Sequence, residues 1–100
     1  MVRHIVMWKL KEFAEGSPKA VNAGRIKGML ESLVGVVPQL ASCSVGLNDL
    51  ADPANYDAVL CSEFGSWEDL EAYKRHPEHV KVSEFVAKVR ESRVAVDYEE

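Results

Sequence analysis

The segment Tyr73-Lys74-Arg75-His76-Pro77-Glu78-His79 sets a phenol and an imidazole on either side of a proline bend. A phenol that polarises a carbonyl oxygen and an imidazole that takes a proton from the adjacent carbon form an acid–base pair needing no cofactor. His79 falls in the first turn of the helix that Pro77 begins. The positive end of the helix dipole disfavours an imidazolium there and leaves a neutral base near pH 7. Asp97, on the inward side of the last strand, is placed either to hold His79 in one tautomer or to bond a helix terminus. His4, among Val2, Val6 and Trp8, is either a core-edge histidine bonded to a backbone carbonyl or a support for the same site. Tyr73 reads equally as a buried tyrosine with its hydroxyl tied off, and His76 as a cap or lining of the bend.

Other chemistries have less support. His76 and His79 form a His-x-x-His pair, but no third or fourth metal ligand accompanies them. Cys43 and Cys61 match no zinc or CxxC spacing and read as two buried free thiols. No glycine-rich phosphate loop and no GxSxG motif occurs. Acidic residues outnumber basic ones 16 to 12, for a net charge of −4, and no basic stripe is present, so nucleic acid is not an expected partner. The apolar run near Val2 is too short for a signal peptide or a membrane span, so no membrane partner and a cytoplasmic location are expected.

The elements that must position these groups follow from periodicity. Val2 to Leu10 alternates, with Val2, His4, Val6, Trp8 and Leu10 on one side and Arg3, Ile5, Met7 and Lys9 on the other. Ser17 as N-cap and Pro18 at the first helical position open a helix carrying Ala23, Ile26, Leu30, Leu33 and Val34 inward. Gly24 and Gly28 within it suggest close packing on the sheet, and Gly35 and Pro38 end it. Leu40 to Leu47 is a strand with Ala41, Cys43, Val45 and Leu47 on one face. Tyr56 to Phe64 is the next, with Ala58, Leu60 and Ser62 opposite Val59, Cys61 and Glu63. Ser66 with Asp69 caps a short helix whose Trp67, Leu70 and Tyr73 share a face. His76-Pro77 stops it, because a residue before proline avoids the α region. A further helix runs to about Ser92 with Val82, Phe85, Val86 and Val89 inward, leaving Arg90 where an apolar residue is expected. Arg93 to Tyr98 is the last strand.

The order β-α-β-β-α-(α)-β predicts one α+β domain over residues 1–100 of ferredoxin-like type, with a four-stranded antiparallel sheet and helices on one face. The other face then carries Ile5, Met7, Val59, Cys61, Val94 and Val96. A patch that apolar is too large to leave in water. A two-fold partner presenting the same face would cover it, giving a homodimer. A chain this short buries only roughly 60–65% of its unfolded surface alone, which favours such pairing.

Taken together, Val2-Arg3-His4-Ile5-Val6-Met7-Trp8-Lys9-Leu10-Lys11, Tyr73-Lys74-Arg75-His76-Pro77-Glu78-His79-Val80 and the closing Asp97-Tyr98 resemble the Dabb family, the stress-responsive A/B barrel domains. The likeness runs over essentially the whole chain, and Tyr-x-x-His-Pro-x-His is its most specific part. It implies a ferredoxin-like subunit in a dimeric α/β barrel. Many family members look like stress-associated or uncharacterised small proteins. Others are polyketide cyclases that perform aldol chemistry without metal or cofactor. In that branch residues matching Tyr73 and His79 carry the proton transfers, and residues matching His4 and Asp97 support them. All four types are retained here. The cyclases also carry a tyrosine on the first helix, which the segment Ala20 to Val34 lacks, and Trp8 points into the same space.

The first functional expectation is therefore a homodimeric barrel protein of stress-associated type with a modest apolar pocket in each subunit. The second is a cofactor-free cyclase, lyase or isomerase acting on a small carbonyl compound through Tyr73 and His79. A heme-handling monooxygenase is an analogy at the level of fold only. A pocket plugged by Trp8 speaks for the first expectation, and one on which Tyr73 and His79 converge speaks for the second.

Overall fold

Val2–Leu10 (β1) has apolar side chains on both faces, and it is one of the two interior strands of the sheet. The computed structural model describes residues 1–100. After β1 come a two-residue ladder of β2 (Phe13–Ala14) with β3 (Ser17–Pro18), then α1 (Lys19–Glu31) and β4 (Leu40–Leu47). β5 (Ala58–Phe64), α2 (Trp67–Arg75), α3 (Pro77–Val89) and β6 (Arg90–Glu99) complete the chain. The large sheet is antiparallel in the order β4-β5-β1-β6. This is the expected ferredoxin-like α+β arrangement.

Register decides which residues share a face. His4 lies opposite Ser62 on one side and Asp97 on the other, and Trp8 opposite Ala58 and Arg93. On that face Val2, Val6, Trp8, Leu10, Leu60 and Phe64 are buried against Ile26, Leu30, Leu70, Tyr73, Val82, Val86 and Val89. Complete burial of each such side chain contributes about 1.5–3 kcal/mol, so this layer is the main source of stability. Buried Ser62 keeps its hydroxyl satisfied by donating to the His4 carbonyl at 3.0 Å. On the reverse face Ile5 pairs with Cys61 and Val96, and Met7 with Val59 and Val94, which is the predicted apolar set.

The helix ends follow local chemistry. The Ser66 hydroxyl accepts from the Asp69 amide at 3.1 Å, capping α2. His76 ends α2 in an extended conformation, and its Nδ1 then accepts from the Glu78 amide at 3.1 Å, capping α3. Pro77 sits at the first position of α3, where no amide is needed.

Several expectations are corrected. Ser17 does not cap α1. It pairs with Ala14 in the small ladder, across a turn in which Glu15 and Gly16 have φ of 49° and 74°. Buried Asn22 holds this turn instead, donating to the carbonyls of Ala14 at 2.9 Å and Ser17 at 3.3 Å. α1 stops at Glu31, so Val34 lies in the following turn and is exposed. Gly24 and Gly28 do not mark close packing, since a Cβ at either would meet nothing within 4 Å. A register shift between Leu40 and Ser42 leaves Ala41 exposed and puts Leu40 in the core with Val45. Trp67 is exposed at the start of α2 while Leu70 and Tyr73 are buried. Finally, α3 ends at Val89 and the chain enters β6 directly, so Arg90 pairs with Leu10 and is not on the helix.

Candidate functional site

A cavity of about 470 Å³ opens between α3 and the sheet. Its floor comes from β1 and β5 through Val6, Trp8 and Leu60. Val82, Val86 and Ala87 of α3 and Leu30 of α1 supply the apolar walls, and His4, His79 and Ser83 the polar positions. Lys74, Arg90 and Arg93 complete the lining. Trp8 is part of this floor and leaves the cavity open.

His79 is half-buried at this cavity because α3 starts immediately after the His76-Pro77 bend. Its Nδ1 meets the Lys74 carbonyl at 3.2 Å. That carbonyl lies in the last turn of α2, where no helical amide remains to satisfy it. A carbonyl can only accept, so Nδ1 carries the hydrogen and Nε2 is left with its lone pair. Burial is the largest influence lowering the His79 pKa from 6.5; the positive charges of Lys74 and Arg93, and of His4 when protonated, act in the same direction. The hydrogen bond to Lys74 opposes them. The imidazole is thus neutral near pH 7 with one tautomer selected, in the direction its place in the sequence predicted, with burial as the largest cause.

Asp97 does not orient His79. Its carboxylate bonds His4 Nδ1, because the β1–β6 register places the two residues side by side on the inner face. His4 is almost fully buried at 4% exposure and lines the cavity, and its Nε2 makes no hydrogen bond within the chain. The expected backbone-carbonyl partner for His4 is likewise replaced by Asp97. A carboxylate on one ring nitrogen fixes the orientation and tautomer of an imidazole.

Tyr73 is brought next to His79 but is sealed off from the cavity. It is 0% exposed, with its ring 4.2 Å from the His79 ring and 5.0 Å from Phe64. Its hydroxyl has no hydrogen-bond partner, and burial, followed by the neighbouring Cys43, pushes the phenol pKa well above 10. The hydroxyl is therefore not tied off as expected; it is an orphaned donor behind the histidine. Phe64 also meets His4 edge-on at 6.5 Å, so the four rings run in sequence beneath the cavity.

The two cysteines part company. Cys43 is half-buried, with Sγ 3.6 Å from the Leu30 carbonyl, and burial raises its pKa to about 11. Cys61 lies on the outer sheet face, as its alternation with Leu60 and Ser62 predicted, but is exposed there in the single subunit and not buried. No group of three or more histidine, cysteine or acidic side chains is arranged to hold a metal. Sequence reasoning missed Lys74, Ser83 and Arg93 as cavity residues and misplaced Arg90. Even spacing from Asp97 does put Arg93 on the inner face of β6, but only the sheet register brings it to Trp8. No helix is long and apolar enough to cross a membrane.

A family model described as Stress Responsive A/B Barrel Domain matches residues 2–100. The stress-response A/B barrel domain-containing protein DABB1 of Arabidopsis thaliana is 30% identical over 103 residues, covering 98% of this chain and 46% of that protein. This chain spans less than half the length of the curated relatives it matches. A crystal structure of a dimeric protein of unknown function and ferredoxin-like fold from Bacteroides fragilis superposes with a TM-score of 0.83 at 34% identity, covering 99% of this chain and 95% of that one. A hydroxynitrile lyase from Passiflora edulis superposes with a TM-score of 0.76 over 97% of this chain and 90% of its own. At 22% identity that second likeness extends to the fold alone.

Proposed function

The chain belongs to the stress-responsive A/B barrel (Dabb) family, and on that footing we propose that it works as a homodimer whose subunits each hold a small organic molecule in the cavity beneath α3. One observation carries this reading, the unequal treatment of the two sheet faces. The inner face is roofed by helices over a cavity of about 470 Å³, while the outer face leaves Met7, Val94 and Val96 at 40%, 39% and 62% exposure. A second copy presenting the same strip is self-complementary and closes the sheet as an isologous interface. The dimeric state of the Bacteroides fragilis neighbour agrees with it. Equilibrium sedimentation tests the pairing. A dimer dissociating only at high dilution is expected, and a monomer throughout would overturn it.

A second reading has its own support. The lone pair on His79 Nε2, in a neutral and partly desolvated ring, is the feature a general base needs. His79 would take a proton from carbon beside a carbonyl. His4 in its protonated form, its Nδ1–H held by the Asp97 carboxylate, would donate from Nε2 to the oxygen as negative charge develops on it, and Tyr73 would position His79 by ring packing. The Passiflora edulis hydroxynitrile lyase is a precedent only in showing that this fold can carry a lyase. Proton–deuterium exchange at the α-carbon of butyrophenone, followed by NMR, tests this. The wild type should accelerate exchange and His79→Gln should abolish the acceleration. Equal rates with both proteins would leave a binding protein without catalysis.

A further inference from the structure

Charges around the cavity are distributed unevenly. Three basic side chains, Lys74, Arg90 and Arg93, line it, and no carboxylate does. Asp97, on the same strand as the two arginines, is already bonded to His4. This occurs in a chain where acidic residues exceed basic ones by four. Elsewhere several basic side chains find those acids, as Arg3 meets Glu63, Lys19 meets Glu12 and Asp57, and Lys27 meets Glu31, while Lys9, Lys11 and Arg25 bond neutral oxygens instead. Arg90 and Arg93 have neither an ion pair nor a side-chain hydrogen bond, and Lys74 has only an exposed contact with Glu71 at 3.5 Å.

The register explains why both guanidiniums reach one place. Arg93 pairs with Trp8 and Arg90 with Leu10, and the irregularity between Lys9 and Leu10 keeps both on the cavity side of β6. β6 is an edge strand, so its inner face continues past the helices, and the two arginines stand at the rim where the apolar floor ends. A planar guanidinium with several fixed N–H donors matches a carboxylate in a way that a hydrated lysine does not.

We infer that the cavity selects an anionic ligand, a keto acid whose apolar body lies along Trp8 and Val86 and whose carboxylate is held by Arg90 and Arg93. This rests on the reading of the cavity as a ligand site, and it adds the substrate class. With the carboxylate at the β6 rim, the ketone end points inward, towards His4 and His79. An acid placed there also supplies the negative charge that the ring of basic groups facing His79 lacks: Lys74 from α2, Arg93 from β6 and His4 from β1.

A matched pair of ligands tests it. 3-Benzoylpropanoate and butyrophenone share a phenyl ketone and differ in a terminal carboxylate against a methyl group. Calorimetric titration of the wild-type protein should show the acid binding at least about tenfold more tightly, the difference expected of a charged hydrogen-bonded pair. The double substitution Arg90→Met with Arg93→Met should remove the preference, so that acid and ketone bind with equal affinity, and the double substitution Arg90→Lys with Arg93→Lys should retain part of it. The His79 ring-proton titration gives a readout that needs no variant. Its midpoint should rise when the acid is bound and stay in place with the ketone. Equal affinity for the two ligands, or a preference that survives the methionine substitutions, would overturn the anion assignment and leave the cavity reading intact. Failure of both ligands to bind would overturn the two together.

Discussion

Replacing Met7 with Asp is the sharpest perturbation of the sheet face, because Met7 lies mid-strand between Val59 and Val94. Met7, Val94 and Val96 are exposed by 40%, 39% and 62%, together about one and a half whole side chains. Full burial of one such side chain contributes about 1.5–3 kcal/mol, so covering these three on both copies supplies about 4–8 kcal/mol. Ile5 and Val59 add to that. M7D removes the methionine share and places a carboxylate in the contact twice, once per copy. Each buried charge costs several kcal/mol unless it is paired. A total penalty of about 4 kcal/mol or more corresponds to a rise in dissociation constant of about a thousandfold. Sedimentation velocity over a wide concentration range, with circular dichroism to confirm folding, would detect this as a shift from dimer to monomer. Val21→Asp, on the exposed side of α1, should leave the mass unchanged. A folded M7D protein that dimerises as tightly as the wild type would refute the assignment of this face.

Tyr73→Phe removes an orphaned buried hydroxyl and keeps the ring packed between Phe64 and His79. Urea unfolding should show a gain of about 1 kcal/mol with unchanged m, and a clear loss would mean that the hydroxyl has a partner. Asp97→Ala leaves nearly buried His4 without its carboxylate and should cost about 1–2 kcal/mol, the lower part of the range for charged hydrogen bonds because Asp97 is 31% exposed. Unchanged stability in the same assay would contradict that account. For His79, NMR titration should give a midpoint below 6.5. The folded state then binds fewer protons than the unfolded chain, so this group costs stability as pH falls from about 6.5 towards the lowered value. His79→Gln should flatten the stability–pH curve in that window, and a midpoint at or above 6.5 would reverse the sign.

Much of the architecture was legible in the chain because it rests on local rules. Period-two alternation from Val2 to Leu10 fixed which side chains share a face, and the Val59–Cys61 and Val94–Val96 strips followed by the same count. Ser66 and His76-Pro77 punctuated the helices through their own backbone preferences. Ser17 misled because serine before proline suits both a cap and a turn, and only the pairing with Ala14 distinguished them.

The candidate site divides along the same line. Residue types and spacing alone determined that His79 follows a helix-breaking bend a few residues after Tyr73, while the burial that keeps it neutral came from packing. Which imidazole receives Asp97, whether the Tyr73 hydroxyl reaches the cavity, and where Arg90 and Arg93 converge depend on contacts between segments far apart in sequence. Cross-strand register settles those contacts, and a shift of one residue would send every side chain to the opposite face. Periodicity within a strand records its two faces but not the residue that lies opposite, so pairing with β1 was decided only when the chain folded.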